Sequence, residues 1–418
     1  MASSTATEPG WLAARRARAV DLIAELPQPA FRGTPGWEFT PIDKLDLDAH
    51  PAARAGDPGD ASDVLEVPSG ARRGTLEPPL VEADGGELPA GGGQPTVLPL
   101  ELAAQLRPEL LEPYLGAAVD PRNPFIARND AHWSDGWLVH VPRNTRVAEP
   151  IVLTTLHEAS TVLHHRVLVV LEEGAEAEVW AQQLSADGDG DGLANGVTEL
   201  FVGDGARLRF LDVQSLSERT WVFGAGRAIV QRDGRLEWTA LGFGSANGKV
   251  FLETNLAGPG AHAEVTGAYA THGRQHVDFD TLQEHAAPNT TSDLAFRGIL
   301  AGRSSTVWRG MIKVDPGAQR TDAFQESRNL LLSKRAHADA IPGLEILADD
   351  VRCTHAAAIA QIDPDQLFYL RSHGLPDEDA RRLVIEGFLQ ALLERFGDGA
   401  MRDAVAGALA RRIELVLG

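Results

Sequence analysis

One cysteine in 418 residues leaves no way to close an intrachain disulfide, and no way to build a metal cage from the thiolates of a single chain. Basic residues are short as well, 38 against 59 acids, for a formal charge of −21. That surplus repels a phosphate backbone and argues against a nucleic-acid partner. Also missing is any apolar run near the ~20 residues that a membrane span requires. The stretch Met1–Ala19 is polar and then Arg-rich, without the apolar centre of a secretory leader. These absences lead to the expectation of a soluble, cytoplasmic protein with no membrane contact. What is present is ample, since apolar residues make up 43% of the chain, enough for a large core.

Three regions differ in pattern. Residues 1–130 read as an N-terminal helical and mixed α/β domain, with an amphipathic helix over Trp11–Leu26 and a helical run over Leu98–Leu115 interrupted by Pro108. Within it, segment 46–95 is acidic and rich in Gly and Pro, and reads as loops with at most short strands. From 131 to 362 the apolar period becomes two, as in Leu236, Trp238 and Ala240, which is the signature of half-buried strands. From 363 to 418 the helical period returns. Asp363-Pro364 and Pro376-Asp377 have the form of helix starts, and a third helix runs over Met401–Leu417. Leu383, Phe388, Leu392 and Phe396 form the expected buried stripe of the second helix. This tail serves either as an end cap or as a docking module.

A turn followed by a strand recurs through the β region. Gly174, Gly205, Gly234 and Gly260 are spaced 31, 29 and 26 residues apart, and Gly317 comes 57 further on. A strand-only repeat of this length suggests coils stacked into a β-solenoid. Periodicity alone leaves a β-sandwich with Gly-rich turns equally open.

Little in the sequence carries enzymatic chemistry. Gly244–Lys249 is one residue short of a phosphate loop and lacks its Ser or Thr; Gly258–Ala263 leads into a strand rather than a helix. Both read as turns. The scattered histidines, among them His164, His165, His262, His272, His276 and His285, read as exposed polar residues rather than ligands. Cys353-Thr354-His355 stands apart, at the end of an apolar strand over Leu344–His355. Residues two apart on a strand share a face, so thiolate and imidazole could bind one iron or zinc ion. Two ligands fall short of the four an iron–sulfur cluster usually takes, so a second chain would have to complete the site. Val351 shares the face, and a packed core thiol is the other reading of Cys353.

Around that pair lies a longer pattern. Arg328–Ser333, Ala338-Asp339, Pro342, Leu344–Ile346, Ala348–His355, Gln361–Asp363 and Leu367–Leu375 follow in fixed order. Asn123–Trp133 and Gly36–Thr40 form two further blocks. Together these resemble the SufB/SufD family, scaffold subunits of the SUF iron–sulfur cluster assembly machinery. The modest length, the lack of further cysteines, and Trp11 and Trp37 bring the resemblance nearer the SufD branch.

The resemblance implies a mainly β protein, with a right-handed parallel β-helix core between an N-terminal α/β region and a C-terminal α-helical domain. It implies pairing with SufB through β-helix edges, a possible homodimer in isolation, and a transient iron–sulfur cluster at the interface with SufB. His355 would contribute from this side, with Cys353 beside it. No nucleotide is expected on this chain. The ATPase SufC would dock on the C-terminal helices through Leu367, Phe368, Tyr369, Arg371 and Gly374, and through Leu383, Glu386, Gly387 and Phe388. Where the family usually has Gly on either side of this segment, the chain has Ala356 and Ala360. The expectation is a non-enzymatic scaffold. The rivals are a β-helix enzyme acting on acidic polysaccharide, and a purely structural partner without a metal role.

Overall fold

The computed structural model describes residues 8–53, 64–74 and 93–417. Its centre is a parallel β-solenoid of two nine-stranded sheets, and successive strands alternate between them. One sheet holds β1 (Arg72–Arg73), β4 (Ile151–His157), β6 (Glu176–Ser185), β8 (Arg207–Ser215) and β10 (Arg235–Gly242). It continues through β12 (His262–Thr271), β14 (Thr291–Leu300), β16 (Asp322–Leu331) and β18 (Arg352–Gln361). The other holds β2 (Thr96–Pro99), β3 (Asp135–Val141), β5 (Thr161–Leu171), β7 (Asp191–Val202) and β9 (Arg219–Val230). It continues through β11 (Asn247–Leu256), β13 (His276–His285), β15 (Ser305–Val314) and β17 (His337–Ile346). Every pairing is parallel except β2 with β3. The solenoid alternative is therefore the one realised.

The coils are stacked through one corner. Asn144, Gly174, Gly205, Asp233, Gly260, Asn289 and Arg320 all have φ between 54° and 77°, the left-handed region. They are spaced 30, 31, 28, 27, 29 and 31 residues apart. Each donates its backbone N–H to the turn of the next coil, Asn144 to Glu173, Gly174 to Asp204, and so on to Arg320 with Asp350. Side chains facing inward then fall into register. Val179, Phe210, Trp238, Val265 and Leu294 form one such apolar column.

The first coil is edged by β1 and β2, and its inward Trp137, Val139 and Leu153 are buried. Helices α1 (Gly10–Glu25), α2 (Leu100–Leu106), α3 (Pro108–Leu111) and α4 (Pro124–His132) precede or flank β3. Leu12, Leu100, Leu111 and Trp133 pack there with Leu138 and Leu168. The run expected to be helical from Leu98 begins as strand, because Leu98 and Pro99 pair with β3 before α2 starts. Helix α4 is capped by Asn123, whose side chain accepts from the N–H of Phe125 at 2.9 Å. Its Asn129 donates to the carbonyls of His165 and Asn195, and its Asp130 pairs with the fully buried Arg166. The Gly36–Thr40 block is strapped to the outside of the second sheet: Trp37 stacks on Phe125, and the Thr40 hydroxyl donates to Asp278. Asp278 also holds the buried Lys249 at 2.8 Å. That lysine, last residue of the phosphate-loop lookalike, is thus a structural ion, and removing either partner would strand a charge at a cost of about 3–5 kcal/mol. Much of acidic segment 46–95 lies outside the described residues; its described parts form turns and β1.

Helices α5 (Pro364–Ser372), α6 (Asp377–Leu393) and α7 (Ala400–Leu417) lie along the flank of the first sheet rather than over its end. Ile385, Leu389, Leu392 and Ile413 cover Val213, Leu241, Ile299 and Leu330. Arg395 bonds Asp293 at 2.9 Å, and Arg412 donates to the carbonyl of Ala270 at 2.9 Å. The stripe of α6 is Ala380, Ile385, Leu389 and Leu392; of the residues expected, Leu392 and Phe396 are buried, Leu383 faces solvent at 48% exposure and Phe388 is only partly covered. The apolar residues of α6 outnumber those its sheet contact can take, and the surplus stays outside.

The corner predicts a graded response to added side chains. A Cβ on Gly205 meets open space, so Gly205→Ala exposes the left-handed backbone cost alone, about 1 kcal/mol. A Cβ on Gly260 would lie 2.2 Å from the Asp233 carboxylate, so Gly260→Ala loses more. Urea denaturation of the two variants measures both, and a Gly205→Ala variant as stable as the parent would refute the requirement.

Candidate functional site at the open rim

The last coil has a neighbour on one side only. Strand β17 pairs with β15 and β18 with β16, and both ladders end there. One coil earlier the inward positions are sealed, with Ala323, Gln325 and Ser327 at 1% exposure or less. In register with Ala323 and Gln325 stand Cys353 and His355, half-buried and exposed respectively. Around them Ile341, Leu344, Ile346, Leu347 and Ile359 are 37–52% exposed. These apolar rim residues were not singled out from the sequence, although an apolar run just before the helical tail was the available signal. Unpaired strand edges and contiguous apolar surface are the two features that draw a second chain.

Cys353 and His355 do not end a strand begun at Leu344. A turn over residues 347–351 intervenes, held in part by the Arg320 N–H bonded to the carbonyl of Asp350, and the pair opens β18. Cys353 packs with Val351 and Ala348 against Ile312, Val314 and Ala323. Burial pushes its thiol pKa up, and the carboxylate of Asp322 adds to the effect. It therefore lacks the electropositive setting of a nucleophilic cysteine. His355 has no hydrogen-bond partner among the described residues, so both ring nitrogens are open to a ligand. Directly beneath it Gln325 spans the lumen, its Nε2 donating to the carbonyls of Gly343 at 3.0 Å and Gly310 at 3.3 Å. The apolar column thus turns polar in its last two members, Gln325 and His355. Among the described residues no three His, Cys, Asp or Glu side chains gather as a metal site. This rim offers at most two donors.

The docking residues expected on the tail divide between two faces. Phe368 and Tyr369 are 73% and 62% exposed, and Leu383, Glu386 and Gly387 are also exposed. Leu367 is buried, and Phe388 packs partly against the same core. Arg371 pairs with Asp377 at 3.3 Å, and Gly374 takes φ +94° where α5 ends. The histidines expected at the surface are mostly inside: His164, His165, His276 and His285 are buried because their strands have covered faces. His285 is held by Thr290 and Ser292 through its two nitrogens.

Fold and rim together define a parallel β-solenoid whose last coil ends in bare strand edges and exposed apolar side chains. Residues 154–388 match the family described as SUF system FeS cluster assembly, SufBD core domain, and the chain belongs to that family. It is of the SufD type: it is 29% identical to the iron–sulfur cluster assembly protein SufD of Bacillus subtilis, over 97% of this chain and 95% of that one. An iron–sulfur cluster assembly SufBD family protein of Mycobacterium tuberculosis is 30% identical over 73% of this chain and 78% of its own. One of Synechocystis is 28% identical over 70% and 63%. The protein thus takes part in iron–sulfur cluster assembly. No described helix is long and apolar enough to cross a membrane.

The setting of Cys353 has a direct readout. Iodoacetamide should alkylate it with a midpoint pH above that of a small-molecule thiol, and more slowly at neutral pH. A midpoint below that of the free thiol would contradict a packed, protonated side chain.

Proposed function

We propose that this chain is a non-enzymatic scaffold subunit that joins SufB edge to edge through β17 and β18 and carries the ATPase SufC on α5 and α6. The observation that carries the reading is the asymmetry of the solenoid: β1 and β2 edge its first coil, whose inward Trp137, Val139 and Leu153 are buried, and its last coil is left with bare strand edges and apolar side chains. The nascent iron–sulfur cluster is cargo at that seam. His355 supplies one neutral imidazole from this side, and the partner's thiolates supply the remaining ligands. Cys353 serves as packing beside it. The exposed ring pair Phe368 and Tyr369, with Leu383 across from them on α6, forms the surface that SufC covers. A second copy of this chain would meet the same rim when SufB is absent.

Co-expression with SufB and SufC, followed by anaerobic measurement of mass, iron and sulfide, tests the reading. His355→Ala should keep the complex intact and lower cluster yield at least tenfold. Leu344→Glu with Ile359→Glu should release SufB, and Phe368→Ala with Tyr369→Ala should weaken SufC retention. Full cluster yield from His355→Ala would exclude the imidazole as a ligand.

A further inference from the structure

The solenoid is not filled along its whole length. Between the coils of β5 and β13 the lumen holds a cavity of about 60 Å³. It exists in part because a side chain is missing from one inward column: Gly224 on β9 stands where the next coil places Val250, and a Cβ there would meet only Val250. Into this space faces Asp212 of β8, in register with the small residues Ala181 and Ala240. Its one hydrogen bond is from Gln183 Nε2, at 3.3 Å.

A carboxyl group sealed among aromatic and aliphatic walls with one long hydrogen bond is costly to leave so. Burial pushes its pKa up to about 7, so near neutral pH a large fraction of the molecules carries it as the neutral acid. His165 is the other titratable group lining the cavity, and burial lowers its pKa to about 4, so it is neutral too. No cationic side chain lines the space, so an anion would meet no counter-charge, whereas a neutral guest would find a carboxyl able to donate and accept beside the Gln183 amide. Since a water needs roughly 10–15 Å³ of such space, the volume suits about four of them.

We propose that this lumen cavity is an internal binding site for small neutral hydrogen-bonding molecules, occupied by a cluster of waters organised on Asp212. A dry apolar void of this kind takes up xenon, and a wet polar one does not. Crystals of the full-length protein under xenon pressure therefore decide between them. The expected result is ordered solvent within hydrogen-bond distance of Asp212 and no xenon. Asp212→Val should lose that solvent and admit xenon. Gly224→Ala gives a second readout, because its Cβ would meet only Val250, at 3.4 Å or more. Displacing bound water should lower Tm by a few degrees, whereas filling an empty void would raise it. Xenon in the unmodified cavity, a cavity without solvent density, or a stabilised Gly224→Ala variant would each overturn the assignment.

Discussion

The whole molecule depends on one backbone position repeated in every coil. At that corner the chain turns with positive φ and points an N–H at the coil above, which fixes the rise from coil to coil. Once it is fixed, strands pair in register over 7–12 residues, and inward side chains stack into columns. The columns are the core. Glycine is the natural occupant, yet Asn, Asp and Arg fill four of the seven places. Asn and Asp accept this conformation through local hydrogen bonding of their short side chains. Arg320, at the last coil, has no such help, and its side chain is 76% exposed. There the constraint is imposed by the neighbouring coils rather than by the residue.

A stack with a fixed rise has two ends, and this one treats them oppositely. The first coil is edged by β1 and β2 with its inward side chains buried, and Arg166 and Lys249 are neutralised where α4 and the Trp37 segment lie on the second sheet. The last coil continues the same columns into solvent: Leu344 follows Ile312, and His355 follows Gln325. Side chains that would be core in the middle of the stack become contact surface at its end. No special motif is required to make an interface from a solenoid; omitting the cap is enough.

This explains what could be read beforehand. The 26–31-residue recurrence of Gly pointed to coils, but it skipped one because Asn289 stands at the corner where Gly was sought. Gly234 and Gly317 belong to the same turns without being the left-handed residue aligned in the ladder. The Cys353–His355 pair was legible as two residues on one face, yet its place at the start of β18 was not, since a run of apolar residues hides the turn over 347–351. Burial of Leu367 and exposure of Leu383 depend on which face of each helix meets its neighbours, a tertiary fact that helical spacing cannot supply. The lumen cavity was the least legible feature. A glycine inside a strand looks like an interruption, and only the register shows that Gly224 removes a side chain from an inward column beside the cavity.

The chain also places the two proposed contact surfaces next to each other. Strand β18 ends at Gln361, and Asp363 already caps α5, its carboxylate accepting from the N–H of Asp365 at 2.9 Å. Two residues, Ile362 and Asp363, therefore separate the strand bearing His355 from the helix bearing Phe368 and Tyr369. Ile362 is buried, so the joint is not a loose tether. The anchors of the tail lie further along: Arg395 grips β14, and Arg412 grips the end of β12. Helix α5 itself buries only Leu367. Force applied to α5 thus meets little resistance from the flank contacts and passes along the backbone into the rim strand, the strand held by a neighbour on one side alone.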